Sequence, residues 1–379
     1  MVADLLSRSG ASVVLFEKNP ALARKLLIAG SSGLNVTHST SEETFHERYM
    51  GAPNAKFWSE ILRAFSPKDW LQFLNELGQQ TYLGTSGRYF LKNMKASKLV
   101  KAWIDRLEQQ GVRIESDTKV TDFDSTSSGP QLRYQTREGA VGAFHGHAVC
   151  FALGGGSYEN DLSWPEMFKK KGVAIETLCA SNVGFEVEWA SEFLKEAEGQ
   201  PIKNIGLETT RGSMRGELLV TQYGLEGTPI YTLGISGPAW IDLFPDYTSE
   251  MIVEKFSKVR EKLGPIRLVQ RALRPQKTVQ ALLYHHGSLV ENPMELARLL
   301  KRFPIKLNRS RPIDEAISTS GGVAWTEVDQ NLMLKRYPGV YLAGEMLSWD
   351  APTGGYLIQG CVSLAAHVAR AIKNQPKRS

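Results

Sequence analysis

The chain has 379 residues, 42% hydrophobic and 22% charged, with a formal net charge of +5. That is an ordinary globular balance, long enough for two or three domains, and no apolar run reaches the length of a bilayer span. Three cysteines (Cys150, Cys179, Cys361) lie far apart without a CxxC pair, which argues against a disulfide framework or zinc site and points to a reducing cytoplasm.

The first residues lack the basic segment and apolar core of a secretory signal. Val2, Leu5 and Leu6 fall on one helical face, with Gly10 as the stop. Ser12 to Phe16 then reads as a buried strand ending in Glu17 and Lys18. This is the second half of a dinucleotide-binding βαβ unit, in which the acid after the strand holds the adenosine ribose hydroxyls. The first strand and its glycine-rich pyrophosphate loop are expected upstream of Met1, on about fifteen to twenty-five further residues. A form without them is expected to hold its dinucleotide poorly.

Arg24-Lys25, the small residues after Gly30, and Asn35 can wrap phosphates and a flavin edge. A surface loop with capping hydroxyls fits the same residues. Ser66-Pro67 starts a helix to Leu77, closed by Gly78. Ala96, Leu99, Val100, Trp103, Ile104 and Leu107 form one amphipathic face, ended by Gly111. Strands are expected over 112–115 and 119–123, a hairpin over 131–145 around Glu138-Gly139, and a buried strand over 148–153. The last runs into Gly154-Gly-Gly156, read as a close backbone passage.

From about 165 to 312 the texture changes. Leu178 to Val187 and Gly216 to Tyr231 look strand-like, while Thr248 to Leu263 and Glu295 to Lys301 look helical. This segment is expected to be an inserted β-rich domain with a helical subdomain that builds the substrate site. Residues 1–164 and 313–379 then form the two parts of the dinucleotide-binding domain, the first of them lacking its first strand and glycine loop. Lys169-Lys-Lys171 and Lys377-Arg378 read as solvated faces, and no nucleic-acid partner is expected. The seven histidines give no metal spacing: His145 and His147 share a strand face, and His285-His286 diverge. No Gly-x-Ser-x-Gly elbow is present, which argues against an α/β-hydrolase.

The C-terminal stretch carries the strongest signal. Gly339 to Ala343 reads as a buried parallel strand, followed by Gly344-Glu345, then Gly354-Gly355-Tyr356, then an amphipathic helix from Leu357. Ligands of doubly wound sheets bind at the carboxyl ends of the strands, and a helix N-terminus attracts electron-rich atoms. Strand, acid, glycine pair and helix look like the seat of FAD. Glu345 would accept hydrogen bonds from the ribityl hydroxyls, with Tyr356 and Trp349 beside the ring.

Gly33-Leu-Asn-Val-Thr-His-Ser39, Gly87-Arg-Tyr-Phe90, Ala152-Leu-Gly-Gly-Gly-Ser-Tyr158, Asn182-Val-Gly-Phe185, Gly224-Leu-Glu-Gly227, Glu315-Ala-Ile-Ser318 and Ala343-Gly-Glu-Met-Leu347 occur in this order. In these seven motifs the chain resembles the NAD(P)/FAD-dependent flavoprotein family that also contains the bile-acid dienone reductases. The resemblance spans nearly the whole chain. It implies a Rossmann-like α/β fold with a doubly wound parallel sheet, non-covalent FAD, and NAD(P)H-linked reduction of a small molecule. It also implies that the backbone of Val120 meets the adenine. Where the family has glycine before Arg24-Lys25, this chain has Ala23. No catalytic acid or base stands out, since flavin carries the redox chemistry. A flavin-poor remnant and a tRNA-modifying flavoprotein are the alternatives.

Overall fold

The computed structural model describes residues 1–30, 33–51, 54–158 and 162–375. Ser31, Ser32 and the Lys377-Arg378 pair lie outside the described residues. The chain divides into two compact units, Met1–Cys179 with Ile317–Ser379, and Ala180–Ala316.

The first unit is α/β. Val14–Phe16 pairs in parallel with Arg113–Glu115, and Val149–Phe151 pairs in parallel with Val340–Leu342. All three residues of Val340–Leu342 are buried, as expected for strands covered on both faces. Two antiparallel three-stranded sheets accompany them. One is Thr118–Thr126, Gly129–Thr136 and Val141–His145; the other is Asn35–His38, Arg88–Leu91 and Thr81–Leu83.

Helix boundaries follow local chemistry. The helix Pro67–Glu76 carries a full capping box, with the Ser66 side chain and Asp69 each serving the other's backbone N–H. The amphipathic helix runs Ala96–Gln109 and buries Ala96, Leu99, Val100 and Leu107. Its own Trp103 packs on Trp70 of the Pro67–Glu76 helix, ring centroids 5.8 Å apart. The long helix Tyr356–Lys373 is apolar on most of its faces, with Val362, Leu364, Val368 and Ala369 buried, so it can only sit inside a core.

The second unit is built on an antiparallel six-stranded sheet. Its order is Phe185–Glu186, Gly224–Glu226, Gly212–Thr221, Pro201–Thr209, Gly237–Asp242 and Phe303–Leu307. Ile202, Ile205, Leu207, Leu218 and Val220 all belong to one apolar core that also takes Phe193, Ile252, Val269, Leu282 and Leu296 from helices.

Three sequence readings of this unit need correction. The stretch 216–231 is not strand throughout: Gly227 at φ +115° ends the strand, and Pro229 opens the helix Thr228–Leu233. The helix expected over 248–263 stops at Ser257, and a second one, Pro265–Leu273, restarts behind Gly264-Pro265. The N-terminal boundary also differs, beginning at Ala180 rather than near 165. The helix Trp164–Lys170 belongs to the first unit because Phe168 packs on Phe123 and Phe151, at 4.8 and 5.2 Å.

Candidate functional site

The glycine pair determines how the long helix begins. Gly354 and Gly355 have φ of +115° and +101°, a region that side chains enter only with strain. A Cβ on Gly355 would lie 2.6 Å from the N and Cα atoms of Thr37, so the helix start presses directly on the Asn35–His38 strand. No side chain caps it, although the first turn of any helix has N–H groups without intrahelical acceptors.

A buried polar ladder fixes this approach. Thr37 Oγ1 donates to Gln359 Oε1 at 2.8 Å, and Gln359 Nε2 donates to Ser363 Oγ at 3.0 Å. Ser363 Oγ in turn donates to the Phe65 carbonyl at 2.7 Å. All three side chains are fully buried, and a satisfied network of this kind imposes one register on the helix. Tyr356 is buried and stacked on His38 at 5.0 Å, with its hydroxyl 2.6 Å from Thr40 Oγ1. Tyr49 donates to the Tyr356 carbonyl at 2.9 Å. Burial lowers the His38 pKa, and Arg88 and Arg48 depress it further against a hydrogen bond with Ser86.

Glu345 lies in the tight turn Gly344–Met346 after the buried strand. Its carboxylate accepts from the Thr319 N–H at 3.2 Å and from the Gly155 N–H at 3.4 Å. Burial pushes its pKa up, and Lys25 and the two backbone donors oppose that rise. Lys25 Nζ donates to the Gly155 carbonyl at 2.7 Å, and Arg24 donates to the Tyr158 carbonyl. Gly155 sits where a Cβ would overlap Thr319 Oγ1, and the Gly156 N–H donates to that hydroxyl at 3.0 Å. Cys361, one helical turn beyond Leu357, lies beneath Gly344, and burial raises its thiol to about 12.

The predicted residues thus fall into two groups. Lys25, Gly344, Glu345, Gly354, Gly355, Tyr356 and Leu357 belong to one neighbourhood, with Arg24 tied to the same 154–158 passage and Asn35 opening the strand under Gly355. Glu17, Lys18 and Val120 belong to another. Glu17 ends the first parallel strand, and its Oε1 accepts from the Asn19 N–H and Nδ2 at 2.9 and 2.8 Å. The Glu17 carbonyl accepts from the Thr118 N–H at 2.9 Å, two residues before Val120, which pairs with Tyr134. Trp349 is buried, its Nε1 donating to the Gly344 carbonyl at 2.8 Å.

Sequence reasoning missed Thr319, Thr37, His38 and Gln359. Thr37 and His38 stand inside a recognised motif, which was the available signal, whereas Thr319 stands in no pattern. The helix N-terminus, the strand-end carboxylates and the cation pair are the donors and acceptors that a dinucleotide flavin requires, and the glycine cradle is a place that a Cβ would fill. The residues present fit FAD. Among the described residues no cluster of three or more His, Cys, Asp or Glu side chains could hold a metal ion, and no helix is long and apolar enough to cross a membrane.

The model of the HI0933-like protein Rossmann domain matches residues 1–371. The chain belongs to the HI0933-like family. Its fold is the Rossmann-like FAD-binding one, and it is a flavoprotein oxidoreductase of that family. Among curated relatives, this HI0933-like chain is 22% identical to the 3-dehydro-bile acid delta(4,6)-reductase of Clostridium scindens, over 99% of this chain and 96% of that one. It is 24% identical to the ribosomal RNA dihydrouridine synthase of Escherichia coli, over 95% and 92%. The Haemophilus influenzae protein of the same name is 21% identical, over 98% and 94%. Among solved structures, the 3-ketosteroid-delta4-(5alpha)-dehydrogenase of Rhodococcus jostii shares the fold at a TM-score of 0.55 and 13% identity, over 99% of this chain and 94% of that one.

Proposed function

We propose that the chain is an FAD-dependent reductase that takes electrons from NAD(P)H and saturates a carbon–carbon double bond conjugated with a carbonyl in a small molecule. The observation that carries this reading is the glycine-cradled start of the Tyr356–Lys373 helix, beside the Lys25–Gly155–Glu345 cluster. When bound, FAD supplies the hydride transfer. The chain's own residues bind and orient it. The positive end of the helix favours an electron-rich oxygen by about 0.3–2 kcal/mol. Glu345 is aimed by two backbone donors, and Lys25 holds the 154–156 passage that supplies one of them. Glu17 keeps its Oε1 on the backbone and side chain of Asn19, which fixes the carboxylate at the strand end where a ribose would bind.

The choice of bond is supported by the relatives, since a delta(4,6)-reductase and a dihydrouridine synthase are both named for removing a carbon–carbon double bond. The uracil ring of a polynucleotide is therefore the second reading of the substrate.

The test is loading with FAD, removal of free flavin, and anaerobic titration with NADH or NADPH. A yellow protein that bleaches and is reoxidised by a conjugated cyclic enone is expected. A colourless protein after loading would end the flavin reading. A yellow protein that neither nucleotide bleaches would remove NAD(P)H as donor.

A further inference from the structure

The chain's positive charge is not spread evenly. Between Lys255 and Lys277 stand eight cations, Lys255, Lys258, Arg260, Lys262, Arg267, Arg271, Arg274 and Lys277, against the single carboxylate Glu261. This stretch alone carries +7, more than the +5 of the whole chain, so everything outside it is net negative.

The second unit folds this stretch into the end of helix Ser249–Ser257, a connecting turn, helix Pro265–Leu273 and the start of helix Lys277–His286. Arg260, Lys262, Arg267, Arg271, Arg274 and Lys277 are all exposed, and none makes an ion pair among the described residues. Only Lys258 is neutralised, by Glu254 at 2.7 Å, while Lys255 lies over the Tyr247 ring at 4.7 Å. Shortly before the stretch in sequence, Asp246 is paired with Arg215 at 3.0 Å and Asp242 with Lys301 at 2.6 Å.

A cleft of about 460 Å³ opens in this surface, and Lys255, Lys258, Arg260 and Arg271 contribute to its walls together with one carboxylate, Glu261. Arg267 and Arg271 stand four residues apart, on one helical face. Unpaired like charges at this density repel one another and destabilise the unit on their own. An anion with several phosphates relieves that repulsion, and the run of cations beyond the cleft exceeds what one small anion can meet.

We infer that this surface docks the phosphate backbone of a polynucleotide strand, here taken as RNA. Recognition is electrostatic and indifferent to sequence, because no exposed aromatic side chain lies in the stretch to stack on a base. The inference goes beyond the flavin reading and is independent of it.

The test is fluorescence anisotropy with a labelled mixed-sequence RNA oligonucleotide across a salt series, on the full chain. Binding is expected to weaken with salt, at about 0.7 in log–log slope for each phosphate contact. The double variant R260Q/R271Q removes two unpaired exposed cations and so leaves the fold intact, which its thermal melt checks. It should lower affinity at least about tenfold and make the slope shallower by about 1.4, while flavin content stays unchanged. Lys170→Gln, in the other basic run of the chain, should have little effect. Equal loss in Lys170→Gln, no loss in R260Q/R271Q, or binding of phosphatidylserine vesicles or tripolyphosphate in place of RNA would each overturn the proposal.

Discussion

The two units solve the problem of order in different ways. The 180–316 unit has one continuous sheet and a single core in which Ile202, Ile205, Leu207, Leu218, Val220 and Leu282 are wholly buried. The other unit has parallel strands three residues long and two separate cores. At its candidate site, order comes from close backbone approaches: Gly355 on Thr37, Gly155 on Thr319, and the polar ladder through Gln359. A scaffold with apolar redundancy holds itself. One with a few backbone contacts around polar groups leaves a place for a ligand to complete. The difference predicts where substitutions will be felt.

The largest effect should come from the self-sufficient core. Phe303→Ala empties a fully buried ring site and should cost about 3–5 kcal/mol. Calorimetry should show the lower-temperature transition without flavin loss at ambient temperature. If flavin is released together with that transition, the units do not differ as argued. Gly355→Ala should follow, at about 2–4 kcal/mol, because it combines a positive φ with overlap on the Thr37 backbone. Here the readouts should reverse, with flavin lost and hydrogen exchange of residues 180–316 unchanged.

Next comes Glu345→Ala, which should weaken FAD binding by about 1.5–3 kcal/mol if a charged hydrogen bond is removed. Equal flavin occupancy after dialysis of the variant and the parent would exclude Glu345 from the site. The same carboxyl group predicts a pH dependence. Its pKa is raised by burial in the native state, so the folded chain holds that proton longer than the unfolded chain. The contribution to stability is therefore present below the ordinary carboxylate pKa and lost as pH rises through the raised value. Glu345→Gln should flatten that part of the apo-protein's stability profile.

The smallest effect concerns Ala23. It adopts φ +57° and ψ +33°, just ahead of helix Arg24–Ala29. The backbone thus keeps a left-handed turn where the resembled family has glycine. Left-handed geometry costs alanine about 1–2 kcal/mol, while glycine forfeits about 0.4–1 kcal/mol of unfolded-state advantage. Ala23→Gly should therefore stabilise the first unit by about 0.5 kcal/mol, seen as a small rise in its melting temperature.

What the sequence made legible was local. The helix start at Ser66-Pro67, the face from Ala96 to Leu107, and the glycine pair before Tyr356 declare themselves within a few residues, and the structure keeps each. The family assignment and the doubly wound fold followed from motifs that remained in order along the chain. What stayed hidden was contact between distant residues. Lys25 meets Gly155 across 130 positions and Thr37 meets Gln359 across 322, and no spacing rule encodes either. The antiparallel partners of the 180–316 sheet were hidden for the same reason, and a glycine followed by Pro229 turned an expected strand into a helix. Averaging charge over the chain also concealed the Lys255–Lys277 concentration.

The Trp349 indole has a consequence for observing this molecule. Its ring lies edge-on to Trp58 at 5.1 Å and near Tyr49 at 5.8 Å, while its N–H is tied to the turn that carries Glu345. Indole emission responds to the polarity and hydrogen bonding of its surroundings, so this ring is a built-in optical gauge of that turn. Comparing the emission of the parent with that of Trp349→Phe isolates its signal, and ligand arrival can then be followed in real time without a label.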